Sequence, residues 1–181
     1  MSIKVVGIPG SLREGSFNRD LLRTAIELAP TKVEIQVDKG NPEPVQALKT
    51  AIRQADAMLI ATPDYNYGVL GVLKNAIDWA LRPPGQSVLN RKPAAIMGCS
   101  QGLGGTIRAQ HALRQSFVFT ETLAMLQPEI KIPSVAKLFD ASGKLTDENT
   151  RQHIQKFLEA FVQWIARFKP ERDHQKSDSS M

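Results

Sequence analysis

Residues 3–30 read IKVVGIPGSLREGSFNRDLLRTAIELAP, and the order of patterns within them is the strongest indication of the fold. Residues 3–8 are apolar and rich in β-branched side chains, which predicts a buried strand. The apolar residues between 21 and 29 recur at helical spacing, and Pro30 ends that helix. A strand, a polar loop and a helix in this order form the repeating unit of α/β proteins.

The same order of strand and helix repeats along the chain. Further strand patterns lie at residues 33–37, 57–61, 94–97 and 122–125, and further helical patterns at 45–55, 72–80, 106–119 and 146–168. This alternation predicts an α/β fold with a parallel sheet covered on both faces. A chain of 181 residues is expected to form one domain, which we place at residues 1–169. The polar tail at 170–181 is expected to be disordered.

Composition and charge exclude several classes of protein. Cys99 is the single cysteine, which excludes disulfides and cysteine-based zinc sites, and the three histidines lack metal-ligand spacing. The chain has 23 Lys and Arg against 18 Asp and Glu, a net charge of +5. That excess suits either general solubility or an anionic ligand such as a phosphorylated cofactor, and its scattered distribution argues against nucleic acid. Without a long apolar run or a signal-like N-terminus, we expect a cytoplasmic protein that does not enter a membrane.

Three unusual loops each follow a predicted strand. Residues 10–18 offer hydroxyls, an amide, an arginine and a helix N-terminus, which suit either a phosphate dianion or an ordinary helix cap. Residues 62–68 carry two tyrosines and an asparagine, which could line a flat aromatic ligand or cap the core. Residues 100–106 hold three glycines, which permit close approach of a ligand or simple flexibility. Loops at the carboxyl ends of parallel strands should meet in one crevice.

Four stretches carry a resemblance to a known family. They are GSLR at 10–13 with Ser16 and Asn18, PDYNYG at 63–68, LKNAIDW at 73–79 and SQGLGG at 100–105. Together they resemble the NADPH-dependent FMN reductase family of flavodoxin-like flavoproteins, which includes chromate and quinone reductases. The similarity extends from about Val5 to Trp164. It implies a flavodoxin-like three-layer sandwich with a five-stranded parallel sheet in the order 2-1-3-4-5.

The resemblance also implies roles for residues of the loops. It implies that the FMN phosphate is held by Ser11, Arg13, Ser16 and Asn18. It implies that the flavin ring lies against Pro63, Asp64, Tyr65, Asn66 and Tyr67, and is bordered on its other edge by Ser100, Gly102 and Gly105. Asp64 stands where the family usually has a glutamate.

The activity implied by the resemblance is that of an FMN-dependent NAD(P)H oxidoreductase. Hydride would pass from NADPH or NADH through flavin N5 to quinones or other small acceptors, including chromate, azo compounds and free flavin, with ping-pong kinetics. This chemistry requires no side chain as acid or base, so we assign no catalytic residue. One alternative is a flavodoxin-like carrier of single electrons, a class that is typically acidic. The other is a flavin-binding regulatory protein without turnover.

The resemblance further implies a homodimer or a tetramer. Residues 72–81 are apolar over a wide arc that includes Trp79, and in similar proteins this region packs against a second subunit. Arg108 and Glu129 resemble family positions at subunit contacts, or are solvated charges. The connection at residues 37–42 is shorter than in the family, which predicts altered assembly or a more open pocket.

Overall fold

The structure is a computed structural model that describes residues 2–9, 15–37, 45–82 and 85–168. Its strands are β1 (Ile3–Pro9), β2 (Val33–Val37), β3 (Ala57–Ala61), β4 (Pro93–Cys99), β5 (Leu123–Ala124) and β6 (Ile130–Ile132). Its α-helices are α1 (Phe17–Glu27), α2 (Val45–Gln54), α3 (Gly71–Ala80), α4 (Ile107–Thr120) and α5 (Glu148–Ala166). Each strand and helix pattern found in the sequence therefore corresponds to an element of the structure.

The sheet is parallel and its strand order is β2-β1-β3-β4-β5, which confirms the predicted α/β flavodoxin-like fold. β1 pairs with both β2 and β3, so that Val5 lies opposite Ile35 on one side and Ala57 on the other. The order of strands reverses at β1 and β3. In open α/β sheets the crevice at such a switch point, at the carboxyl ends of the strands, is where ligands bind.

The fifth strand position is occupied by two short strands, whereas the sequence predicted one strand at 122–125. β5 pairs with the start of β4 through Leu123 and Ala124, and β6 pairs with the end of β4. The segment between β5 and β6 leaves the sheet and contains a cis peptide bond between Gln127 and Pro128. Pro128 has no N–H to donate to a neighbouring strand, so it cannot continue the pairing with β4. The sequence predicted one strand in this position and missed β6.

Helices cover both faces of the sheet and give the predicted three layers. Leu59 of β3 belongs to an apolar cluster with Leu21 of α1 and Phe157 of α5. The next residue, Ile60, belongs to a second cluster with Ile77 of α3 and Leu113 of α4. Because neighbouring side chains of a strand point to opposite faces, α1 and α5 lie on one face of the sheet, and α3 and α4 on the other.

Several predicted features lie outside the described residues. They are Ser11 and Arg13 of the first loop, the short connection that follows Val37, and the tail at 170–181. Within the described ranges, no helix has the length and apolar character needed to cross a bilayer.

Candidate active site

A cleft of about 540 Å³ opens where β1, β3 and β4 end, within the size range of small-molecule and cofactor sites. The described parts of the three loops that the sequence singled out meet there. Ten of the predicted site residues line the cleft: Ser16, Asn18, Pro63, Asp64, Tyr65, Asn66, Tyr67, Ser100, Gly102 and Gly105. Arg108 also lines the cleft, whereas the sequence suggested only a subunit contact or a solvated charge for it.

The first wall of the cleft is the start of α1. Ser16 precedes the helix, is only 3% exposed, and its side chain makes no capping hydrogen bond. The first N–H groups of a helix have no partner within the helix, and the helix dipole adds partial positive charge at this end. This end of the cleft is therefore suited to an anion.

Asn18 connects α1 to the end of β4. Its Nδ2 donates to the carbonyl of Cys99 at 3.1 Å, and its Oδ1 accepts from the N–H of Cys99 at 3.2 Å. Asn18 is buried, so these bonds form away from bulk water. Asn18 therefore anchors the start of α1 to the end of β4. This role could not be predicted from the sequence, because Asn18 and Cys99 are 81 residues apart.

The second wall is a two-residue β-turn in the loop after β3. Tyr65 and Gly68 exchange N–H to carbonyl hydrogen bonds of 3.3 and 3.0 Å, with Asn66 and Tyr67 between them. Both central residues have left-handed backbone angles, with φ of 50° and 66°. Asn tolerates this region, but a tyrosine in it is uncommon and costs about 1–2 kcal/mol. The turn holds Tyr67 74% exposed at the mouth of the cleft.

Two contacts fix this turn against the first turn of α4. The Oδ2 of Asp64 accepts from the N–H of Ala109 at 3.3 Å, which places a carboxylate at the positive end of the helix. The Arg108 guanidinium lies 3.8 Å from the centre of the Tyr67 ring, within cation–π distance. The carboxylate of Asp64 therefore has a structural partner, which fits a positioning role better than acid or base catalysis.

The third wall is the glycine-rich loop between β4 and α4. Gly105 has a φ of +56°, and a Cβ there would lie 3.1 Å from the carbonyl carbon of Lys131. The N–H of Ser100 donates to the carbonyl of Ile132 at 3.0 Å, which fastens the loop to the neighbouring β6. A Cβ at Gly102 would meet only the Ser100 hydroxyl, at 3.9 Å. These contacts hold the loop in place, and its glycines carry no side chains, so a flat ring can approach the backbone closely.

Cys99 does not supply redox chemistry to the cleft. The residue is 2% exposed. Burial raises the pKa of its thiol, and the nearby Asp20 carboxylate raises it further. The thiolate is the reactive form of cysteine, so this side chain is inert at neutral pH. Cys99 is a small buried residue of the apolar core.

Comparison with known proteins identifies the chain. Residues 3–137 match the family model of the NADPH-dependent FMN reductases. The chain belongs to this family. An NAD(P)H-dependent FMN reductase of Pseudomonas aeruginosa is 45% identical over 181 aligned positions, covering 92% of this chain and 97% of that protein. A 2-hydroxy-1,4-benzoquinone reductase of a Burkholderia species is 40% identical, covering 91% and 97%. The flavoenzyme FerB of Paracoccus denitrificans, an NAD(P)H:(acceptor) oxidoreductase, superimposes with a TM-score of 0.82 at 37% identity, covering 91% and 98%.

The cofactor of this family member is FMN, with NAD(P)H as co-substrate. The three walls suit the parts of FMN in turn: a helix N-terminus for the phosphate, tyrosines for the ring face and a thin glycine loop for the ring edge. The predicted family resemblance is therefore confirmed.

Proposed function

We propose that this FMN reductase transfers electrons from NAD(P)H to quinones, with FMN bound in the cleft at the ends of β1, β3 and β4. The observation that carries the proposal is the convergence of ten predicted residues, from three separate loops, on that one cleft. The quinone reductases among its relatives support this acceptor class.

We assign the two ends of FMN to different loops. Ser11, Arg13, Ser16 and the N–H groups at the start of α1 would hold the phosphate. The ring would lie between residues 63–67 on one side and Ser100, Gly102 and Gly105 on the other. Asn18, whose amide is engaged by Cys99, would support the phosphate end indirectly.

The protein contributes binding and orientation, and we assign it no catalytic acid or base. Bound FMN supplies the hydride chemistry through N5, as flavins do in general. The Asp64 carboxylate is engaged by the start of α4, and the Cys99 thiol stays protonated. NAD(P)H and the acceptor would occupy the same open face in turn, which gives ping-pong kinetics. Chromate, azo compounds and free flavin are small enough to be further acceptors at that face.

Steady-state kinetics test this function. We expect FMN-loaded protein to oxidise NAD(P)H with a simple naphthoquinone, and initial rates over both substrates to give parallel double-reciprocal lines. Intersecting lines would mean that NAD(P)H and the quinone bind at the same time, which would contradict a shared binding face. An electron carrier would need a protein partner for turnover, and a regulatory protein would bind FMN without oxidising NAD(P)H.

Arg13 provides a test of the phosphate end. We expect Arg13→Ala to weaken FMN binding by about 1.5–3 kcal/mol, the usual effect of losing a charged hydrogen-bond partner. Titration followed by quenching of flavin fluorescence measures the effect. Riboflavin, which has no phosphate, is the matched control ligand and should bind both proteins equally. Equal FMN affinity of wild type and Arg13→Ala would show that Arg13 does not bind the phosphate.

We also propose that the protein forms an oligomer through α3. Val72 and Trp79 on α3 are 43% and 51% exposed, a large apolar area to leave in water. We expect α3 to pack against a second subunit to form a dimer, with a tetramer as the larger alternative. Sedimentation at micromolar concentration should show at least twice the 20.0 kDa chain mass, and a single species of 20.0 kDa would refute this. The lone cysteine and the use of NAD(P)H support the cytoplasm as the compartment.

A further inference from the structure

Gln110 of α4 is a buried polar side chain at the boundary between α4 and β6. The residue is 0% exposed. Its Nε2 donates two hydrogen bonds of 2.8 Å, one to the Oγ1 of Thr106 and one to the carbonyl of Ile130. Because a carbonyl can only accept, the contact with Ile130 identifies the nitrogen end of the amide. The other end, Oε1, is buried and accepts no hydrogen bond from any described residue.

The burial of Oε1 makes glutamine a destabilising choice at this position. An acceptor that is removed from water without gaining a donor lowers the stability of the folded chain. Methionine has a similar length and would fill the same space with no unpaired amide oxygen. Since Gln110 is fully enclosed by its own chain, a second subunit cannot reach its side chain. The two bonds from Nε2 are therefore the contribution of this residue, and their partners indicate its role.

The partners of Gln110 lie on the two sides of the boundary between the glycine-rich loop and β6. Thr106 follows the loop of residues 100–105 and immediately precedes α4. Its hydroxyl packs against Gly98 of β4, where a Cβ would stand 2.3 Å from it. Ile130 is the first residue of β6. One side chain thus connects the end of the loop to the neighbouring strand.

The beginning of the loop is connected to β6 by main-chain atoms instead. The N–H of Ser100 donates to the carbonyl of Ile132 at 3.0 Å, and the N–H of Val135, just after β6, donates to the carbonyl of Ser100 at 3.0 Å. Within the described part of the chain, residues 104–106 make no main-chain hydrogen bond of this kind to β6. Hydrogen bonding at this end of the loop therefore comes from the side chain of Gln110.

We propose that Gln110 is a positioning residue for the flavin ring. Its amide fixes Thr106 against β6, and with it the loop whose residues Ser100, Gly102 and Gly105 would border the ring. The inference rests on the proposed function, because it takes the ring to lie beside that loop. Protein groups around a bound flavin determine its orientation and its electronic properties. The phosphate would bind at the start of α1, on the opposite face of the sheet from α4, so a shift of the loop should affect the ring alone.

The test compares Gln110→Met and Thr106→Val with wild type in titrations with FMN and with riboflavin. Each substitution keeps the approximate size of the side chain and removes one partner of the hydrogen bond between the two residues. We expect both variants to bind both flavins about fivefold more weakly, the order of effect of one neutral hydrogen bond. The visible circular dichroism of bound FMN, which reports the surroundings of the ring, should change as well.

The ratio of the two affinities locates the effect. Because the phosphate end is unchanged, the preference for FMN over riboflavin should equal that of wild type in both variants. A loss for FMN but not for riboflavin would place the effect at the phosphate and overturn the proposal.

The double variant shows whether Gln110 acts through Thr106. If it does, the protein with both substitutions should bind flavin no more weakly than Gln110→Met alone, because the bond is already lost. Two independent effects would instead multiply to a loss of about 25-fold, and that result would contradict the proposed connection.

Thr120→Val is the matched control. Thr120 is also buried on α4, but it is the last residue of the helix, and its hydroxyl lies 2.7 Å from that of Thr122. Removing this hydroxyl should lower the stability to urea while leaving the affinity for both flavins within about twofold of wild type. If Thr120→Val weakens flavin binding as much as Gln110→Met does, the effect is a general loosening of α4 and the proposal is wrong. It is equally wrong if Gln110→Met lowers stability but leaves both affinities and the circular dichroism unchanged.

These equilibrium measurements separate the inference from the proposed function. They need neither NAD(P)H nor an acceptor, so the expected losses support the positioning role even when no quinone is reduced. If wild-type protein reduces quinones and both variants bind the flavins as wild type does, the function stands and the role of Gln110 is wrong. Wild-type protein that binds neither flavin would contradict both. If Gln110→Met does not fold, Thr106→Val carries the same test, since it leaves Gln110 bonded to Ile130.

Discussion

Gly98→Ala is expected to destabilise the protein by about 3 kcal/mol or more, the upper range for overpacking a well-packed core. Gly98 lies in β4, which is buried along its whole length. A Cβ at this position would stand 2.4 Å from the carbonyl oxygen of Thr62 and 2.3 Å from the Oγ1 of Thr106. Thr62 presents a backbone atom, so relief requires β3 and β4 to separate. Both strands end at the cleft, and FMN binding should weaken together with stability.

Gly102→Ala is the matched control for this prediction. Gly102 lies in the loop that follows β4, and a new Cβ there would have the Ser100 hydroxyl, at 3.9 Å, as its nearest neighbour. We expect its free energy of unfolding to change by less than about 0.5 kcal/mol. Urea unfolding of both variants without FMN gives the comparison. Equal stability of the two variants would show that β4 does not pack against Thr62 and Thr106 as described.

Asn18→Ala is expected to cost about 2–4 kcal/mol of stability without FMN present. The substitution removes both hydrogen bonds to Cys99 and leaves a buried N–H and a buried carbonyl without partners. Each unsatisfied buried group costs about 1–3 kcal/mol. An asparagine that served only to hold phosphate would affect FMN affinity and leave the stability of the unliganded protein unchanged.

Asn18→Asp separates the contributions of the two hydrogen bonds with Cys99 to stability. The carboxylate can still accept from the N–H of Cys99, but it can no longer donate to the carbonyl, and it places a negative charge in a buried position. We expect the variant to be less stable than wild type at neutral pH and to recover as acid protonates the new carboxyl group. Urea unfolding at several pH values measures this, and a loss independent of pH would argue against a buried charge at residue 18.

Local patterns in the sequence predicted the covered parallel sheet correctly, and the family resemblance implied the strand order that the structure shows. The central strands β3 and β4 are continuous apolar runs, such as residues 57–61, because parallel strands in the middle of a sheet are buried on both faces. The start of α5 was predicted near residues 146–148, and the side chain of Asp147 indeed caps it by accepting from the N–H of Thr150 at 2.8 Å. The split into β5 and β6 was missed because β6 is three residues long, too short for a periodic pattern to stand out.

The contacts that shape the cleft could not be predicted in the same way. Asn18 and Cys99 are 81 residues apart, and only the assembled sheet brings them together. The left-handed turn at Asn66 and Tyr67 lacks the glycine that usually marks such turns. The Arg108 contact with Tyr67 joins the first turn of α4 to the loop after β3, and the sequence by itself suggested only a subunit contact or a solvated charge for Arg108.

The central claim is that the cleft binds FMN by its phosphate as well as by its ring. The most direct measurement is a titration of flavin-free protein with FMN and with riboflavin, followed by quenching of flavin fluorescence. We predict that FMN binds at least about tenfold more tightly, because a phosphate at a helix N-terminus with a charged partner contributes about 1.5–3 kcal/mol. Equal affinity for the two flavins, or binding of neither, would contradict the account.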